Sequence, residues 1–421
     1  MQRKIKNINI RYLIKNHVDK NEDFKIKFIV GSKFALYGLC TILNYIINNL
    51  TNFVSHFWER LMLQVKKSIL FGVMASCAGF CHAGVEFNTD SVNVKISGLI
   101  DTGIATVTNV KGGTKTEAVD SILGVSNIGF SGNYKIDEDY QAYFNLQSGF
   151  KPSKGEQNKD GELFDRNAYA GLKTPYGSLS VGKQWTFNDD WFVGSVFKGG
   201  YNSGAIFKMS EFDAVSEIYS NTFKYSSPEL NGWQFGALYA TDDDSAKNTH
   251  GQIFSGAVKY TSPKLMLGAA YEDHEAHDTD NHYRLTTLAS KYTFDQLTTR
   301  LGFAYADITG PGQYAAIASN SADQKAWATE VGVDYNFTPK LTVSGDVIYK
   351  QNTTFDHDAM VYRALAIYQV RKPLSLVANL AYLTNDDGSS ESLVNTDSTL
   401  PGGGYANQDQ LSLALGMRLT F

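Results

Sequence analysis

The chain has 421 residues, of which 37 are glycine, 24 tyrosine and 25 phenylalanine against 8 prolines, a balance that favours closely packed β-structure with aromatic faces. Its mean hydropathy of −0.25 excludes a bundle of membrane helices but not a membrane barrel, whose polar interior dilutes its lipid-facing residues. The formal net charge of −5 hides a division: residues 1–83 hold 12 of the 38 Lys and Arg but only 4 of the 43 Asp and Glu, leaving 26 basic against 39 acidic residues in the remainder.

That basic leader also holds all three cysteines, Cys40, Cys77 and Cys81. Residues 62–83 read MLQVKKSILFGVMASCAGFCHA. Lys66 and Lys67 precede a short apolar run, and Cys81-His82-Ala83 gives a small-x-small boundary, the build of a secretory signal peptide. The run is too short for a transmembrane helix. Cleavage between Ala83 and Gly84 is expected, with Met62 as the start of translation. Residues 1–61, with a hydrophobic stretch around Phe34–Ile47, are then an upstream extension outside the mature protein. The mature chain, 84–421, carries no thiol, which suits an oxidising periplasm.

From Gly84 onward, alternation with period two recurs. Residues 326–337 set Trp327, Val331, Val333, Tyr335 and Phe337 against Glu330, Gly332, Asp334 and Asn336. Residues 341–350 set Leu341, Val343, Val347 and Tyr349 against Thr342, Ser344, Asp346 and Lys350, and 297–305 carry Arg300 on their polar side. The final LSLALGMRLTF places Leu411, Leu413, Leu415, Met417, Leu419 and Phe421 opposite Ser412, Ala414, Gly416, Arg418 and Thr420. Short turns fall at 137–139, 174–177, 226–232, 261–264, 294–296, 338–340 and 370–373, and five of the eight prolines lie in them, where a missing N–H costs little. Longer acidic or glycine-rich connections lie between: KPSKGEQNKDGE, TDDDSAKN, EDHEAHDTDNH, QNTTFDHD and NDDGSSES…GGGYANQD among them. The count predicts an all-β, 16-stranded antiparallel transmembrane barrel, short turns at one end and long loops at the other. A soluble sandwich would need a second sheet over each greasy face. Here those faces end in aromatic girdles, and the opposite faces are rich in Gly, Ala and Ser, as a water-filled lumen tolerates.

Four stretches resemble the general-diffusion porins of Gram-negative bacteria: SNIGFSGNYKIDEDYQAYFNLQSGF (126–150), FDRNAYAGLKTPYGSLSVGKQW (164–185), NTFKYSSPELNGWQFGALYA (221–240) and the terminal LGMRLTF. The resemblance implies a homotrimer in the cell outer membrane, in contact with lipid and lipopolysaccharide. It implies a long third loop folded into the lumen, passive diffusion of small hydrophilic solutes and ions, and recognition of Phe421 by the barrel-assembly machinery. The third loop is expected within 186–217. The family's inward basic ladder maps onto Arg166, whereas Asn127 replaces a second ladder arginine and a third, near 218–220, is missing. Alternation would aim Lys183 outward with Leu179 and Val181, an expensive place for an ammonium in lipid. The resemblance places that strand end at the trimer interface, with Glu156, Asp160 and Glu162 of the second loop as candidate partners.

Loop 186–217 carries Asp189, Asp190, Glu211, Asp213 and Glu217 against Lys198 and Lys208. Glu330, Asp334 and Asp346 point inward by alternation, opposed by Arg166, Arg300, Arg363 and Arg418. These charges predict a modest cation preference. The same loop's Trp191, Phe192, Phe197, Tyr201 and Phe207 raise the alternative of a substrate-specific porin with a solute-binding constriction. His274, His277, Asp280 and His282 share one region, but their spacing is a poor metal signature, and a solvated acidic loop is the expectation. No catalytic, nucleotide, nucleic-acid or cofactor motif stands in a credible context. The chain reads as a channel, not an enzyme.

Overall fold

The computed structural model describes residues 85–421 apart from 112, 201–203, 245–248, 278, 311–322, 387 and 394–406. The leader, the Ala83–Gly84 boundary and Tyr201 lie outside the described residues. The wall consists of β1 (Val92–Val110), β2 (Asn127–Lys135), β3 (Gln141–Lys151), β4 (Ala168–Thr174), β5 (Gly177–Trp185) and β6 (Ile218–Ser226). It continues through β7 (Trp233–Ala240), β8 (Ile253–Thr261), β9 (Leu265–Glu275), β10 (His282–Phe294) and β11 (Leu297–Ile308). It ends with β12 (Gln324–Thr338), β13 (Leu341–Asn352), β14 (His357–Arg371), β15 (Leu374–Asp386) and β16 (Gln410–Thr420). Each strand is antiparallel to its chain neighbours, and β16 pairs with β1, so the sheet closes and has no free edge. Three short strands lie outside the sixteen: Val85–Asn88 and Gly113–Val119 pair with β1, and Glu156–Gln157 pairs with the end of β3.

The predicted turns and the strand count are found. Two connections differ. Strand β9 runs through Glu272, Asp273 and His274 to Glu275, inside the expected acidic loop, and only residues 353–356 separate β13 from β14. Alternation sorts the faces as read. On β16, Leu411, Leu413, Leu415 and Met417 are 44–49% exposed while Ser412 and Ala414 are buried. An apolar face left bare on every strand is what a lipid solvent requires. Exposed aromatics gather toward the two ends of the strands, with Trp233, Phe294, Tyr335 and Phe337 near the short turns and Tyr239, Phe254, Tyr271 and Tyr382 toward the long loops.

Phe421 finds its place across the closing seam. Its backbone N–H donates to the Gly98 carbonyl at 3.0 Å, its carbonyl accepts from Gly98 N–H at 2.7 Å, and the outer end of its ring lies against Gly98. Any β-carbon at Gly98 would collide with that ring. Beyond this point the edge of β1 is taken up by Val85–Asn88, with Val85 opposite Ile96.

Two charged side chains have partners that strand alternation alone does not show. Arg418 does face inward, but its Nε lies 3.1 Å from the fully buried Asp101 carboxylate, which also accepts the N–H groups of Ile122, Leu123 and Gly124. It is an anchor of the first loop rather than a freely solvated arginine. Lys183 is not a bare ammonium on the lipid face. A register shift between Gly182 and Gln184, with Gly182 at φ +138°, bends the strand there. Lys183, 9% exposed, is ion-paired to Glu162 of its own second loop.

These contacts predict that β16 loses stability both when a charge is added on its lipid face and when one is removed from its inner face. Leu415→Arg, on the lipid face, lowers barrel stability by about 2–4 kcal/mol if the site lies near the bilayer midplane. Arg418→Gln costs about 1–2 kcal/mol through the stranded Asp101. Denaturant unfolding in lipid vesicles measures both, and a neutral Leu415→Arg would refute the register.

Candidate functional site

The segment 186–217 connects β5 to β6 and contains the helix α1 (Phe187–Trp191) and two 3₁₀ segments, Ile206–Lys208 and Ser210–Ser216. What seats it is the smallness of the wall beneath. Phe187, Phe192 and Phe197, five residues apart, are each fully buried, and their rings rest over Gly236 of β7, Gly268 of β9 and Gly302 of β11. All three glycines point inward, on alternate strands. A β-carbon at any of them would run into the ring above it. Around them the inward positions are alanine: Ala270, Ala289, Ala304, Ala306, Ala326 and Ala328 join the same buried cluster. The Gly- and Ala-rich face is therefore not only tolerated by a watery lumen, as read from the sequence. Along this side it is the seat of the loop. Each buried ring contributes roughly 1.5–3 kcal/mol.

Polar clamps complete the seat. Arg300 reaches the Glu330 and Asp334 carboxylates at 3.2 and 3.1 Å, ion-pairs Asp346, and donates to the Val196 carbonyl at 2.8 Å. Arg363 meets Glu330 at 3.3 Å and Asp346 at 3.0 Å, and donates to the carbonyls of Lys198 and Gly204. Glu330 in turn accepts the Lys198 N–H at 2.9 Å. Both guanidinium side chains are fully buried. Such a cluster is tolerable only because nearly every donor and acceptor is matched, and removing one member strands the rest. The Lys198 ammonium lies 3.7 Å from Asp334, and burial, opposed by that carboxylate, holds it below the usual lysine range.

Farther along, Lys350 bridges Glu211 of the loop at 2.5 Å and Glu391 at 2.6 Å, while Ser210 donates to Glu391. At the helix, Asn188 donates to Glu272 at 2.7 Å, and Glu272 also meets His274, whose other nitrogen contacts the Tyr219 hydroxyl at 3.2 Å. The Tyr283 hydroxyl donates to the Glu211 carbonyl at 2.9 Å.

The predicted charges thus occupy the region expected, in a different state. Glu330, Asp334 and Asp346 face inward but are buried beneath the loop with Arg300 and Arg363. Within the loop Asp190 pairs with Lys224, Glu211 with Lys350 and Asp213 with Lys208, and neither Asp189 nor Glu217 is free. The pairings reduce the excess of carboxylates behind the expected cation preference, although Lys350 alone serves both Glu211 and Glu391. Arg166 stacks 4.9 Å from the Trp185 ring. Asn127 turns back to its own segment, donating to the Val125 carbonyl. Of the described loop aromatics singled out in the sequence, Phe192, Phe197 and Phe207 are buried against the wall and offer no aromatic track to a solute, and Trp191 is part-exposed. The histidines do not converge: His274 is buried with Glu272, His277 meets Asp242 and His282 meets Asp273. Among the described residues no cluster has the makings of a metal site.

Sequence reasoning placed Lys350 on the polar face of its strand but missed Lys224, Lys259 and Lys291 as inward cations, and the three glycine seats. Alternation alone would have turned those lysines inward. The even spacing of Phe187, Phe192 and Phe197 was the only trace of the seats.

Residues 71–388 match the profile of a family described as Gram-negative porin. The chain is similar to an outer membrane porin protein of Bordetella pertussis, 27% identical over 298 residues, covering 62% of this chain and 75% of the relative. Among solved structures it resembles the anion-selective porin from Comamonas acidovorans, 19% identical with a TM-score of 0.68, covering 78% of this chain and 100% of that one. It also resembles OmpT of Vibrio cholerae in its trimer form, 18% identical with a TM-score of 0.59, over 79% of this chain and 100% of that one.

The seat predicts that Gly302→Leu lifts the loop without unfolding the wall. Folded protein should become cleavable within 186–217 by added protease, and single-channel current should grow noisier. Retained protease resistance with quiet current would mean that the glycine seat does not position the loop.

Proposed function

The chain belongs to the Gram-negative porin family, and from that premise we propose how its channel is shaped and charged. It is an outer-membrane porin, a passive channel for small hydrophilic solutes and ions. One observation carries the finer reading. The loop's described contacts run from Lys224 of β6 round to β15, with Gly200 also against Ile122 and Leu123 of the first loop, while the inward side chains of β2 to β4, Asn133, Gln141, Asn145, Gln147 and Tyr169, are polar and half-exposed. Loop 186–217 therefore narrows the lumen from one side and leaves a polar conduit along the other.

Ion preference in this reading follows from what remains unpaired. Many of the carboxylates of loop and wall are ion-paired, whereas Lys259 and Lys291 face the lumen with no carboxylate ion-paired to them among the described residues. Uncompensated charge in a narrow, low-dielectric passage concentrates counter-ions. The preference is for anions and is weak, the reverse of the one expected from charge counting.

Homotrimers and recognition of Phe421 by the assembly machinery belong to the same proposal, supported by the family's features and by the trimer form of OmpT. So does export by residues 62–83 with Gly84 as the first mature residue. Because Lys183 is satisfied by Glu162 within its own chain, subunit contact is assigned to the second loop rather than to that ammonium.

Planar-bilayer recording tests the reading. Purified outer-membrane protein should give ohmic channels, with a chloride-selective reversal potential across a roughly tenfold KCl gradient that fades toward 1 M salt, where the Debye length is about 3 Å. A potassium-selective sign would show that the loop carboxylates set the field after all.

A further inference from the structure

A cleft of about 330 Å³ opens at the short-turn end of the lumen, between loop 186–217 and strands β8 to β10. Its lining includes Lys259, Lys264 and Lys291, with Trp191 and Ser195 of the loop and Thr293 of the wall. It contains no carboxylate. Alternation explains the convergence: Lys259 and Lys291 are inward residues of β8 and β10, with Gly268 and Met266 of β9 as their respective partners.

The ammonium groups are positioned but not neutralised. Lys259 Nζ lies 4.6 Å from the centroid of the Trp191 ring, a cation–π contact that orders the side chain and leaves its charge intact. Lys291 Nζ donates to Ser195 Oγ at 2.9 Å. The nearby Asp190 is engaged by Lys224, and Glu229 lies out on the exposed turn. Elsewhere along this wall buried cations meet carboxylates: Arg300 and Arg363 share three, and Lys350 holds two. The cleft departs from that rule, with fixed cations, hydroxyl donors and an acceptor position left open.

We propose that this cleft is an oxyanion-binding subsite, taking a phosphate or a small phosphorylated solute as it leaves the narrow part of the channel. The ligand's oxygens would lie between the Lys259 and Lys291 ammoniums and accept from the hydroxyls of Ser195 and Thr293, with Lys264 supplying charge at the rim. Lysine serves such a site as a point charge that tolerates many oxyanion shapes. Several weak contacts at an open site slow passage without trapping the solute.

The inference rests on the channel reading, and the test separates the two. Channels of the full mature protein are recorded in KCl at neutral pH while inorganic phosphate is added to either side. The expected result is a saturable reduction of chloride current, with the half-blocking concentration raised at least about tenfold in a Lys259→Gln/Lys291→Gln variant that still forms folded barrels. Lys95→Gln, on β1 outside the cleft, should leave the block as in the parent. Channels that conduct chloride but show no saturable block by phosphate overturn the subsite and leave the porin reading standing. Equal weakening by Lys95→Gln also overturns it, by assigning the effect to the general charge of the lumen. The absence of any channel overturns both readings together.

Discussion

The structure depends on how closely a loop can approach a wall. The 32-residue segment 186–217, packed inside a barrel, needs a floor without side chains under its largest rings. Gly236, Gly268 and Gly302 provide that floor on alternate strands, and alanines fill the intervening inward positions. Close packing then does what a polar lumen alone could not, because aromatic rings buried against backbone have few other places to go. The clamps by Arg300 and Arg363 add direction: each guanidinium is fixed by wall carboxylates and spends its remaining donors on loop carbonyls.

This arrangement changes the electrostatics of the passage. A carboxylate at an inward strand position would ordinarily face water and attract cations. Under the loop, Glu330, Asp334 and Asp346 become counter-charges to the guanidiniums that hold the loop, and their field closes on itself over a few ångströms. Charges used for architecture are thereby withdrawn from conduction. What the ion meets is set by residues the architecture left over, and among the described residues these include Lys259 and Lys291. The sign of selectivity thus cannot be taken from a count of charged residues near the constriction. It depends on which of them are paired and buried.

Most of the fold was legible because it is local. Period-two alternation, the turn prolines and the bare apolar face of β16 each involve neighbours in sequence, and they yielded the strands, the turns and the lipid face. Phe421 was legible as an outward aromatic, though not as a lid over Gly98. The candidate site was legible only in its membership. Alternation placed Glu330, Asp346, Arg300 and Arg363 inward, but their pairing joins strands separated by tens of residues to a loop still farther off. No local signal encodes that. Lys183 shows the other limit. Strict alternation aimed it at lipid, whereas the Gly182 bulge and the ion pair with Glu162, one of the partners the family resemblance offered, hold it within its own chain.

The central claim, that the loop rests on the wall in the channel's conducting form, is open to a covalent test because the described barrel has no thiols of its own. A β-carbon built at Gly204 of the loop lies 3.7 Å from that of Ala381 on β15, within the range a disulfide spans, at a left-handed φ of +69° and beside the Leu393 and Val361 side chains, which must give way to it. The double variant Gly204→Cys/Ala381→Cys should cross-link during assembly in the oxidising periplasm, and its single-channel conductance should be the same before and after reduction. In the cross-linked protein, a conductance that rises markedly on reduction would contradict the account by showing that the loop spends its conducting life away from the wall.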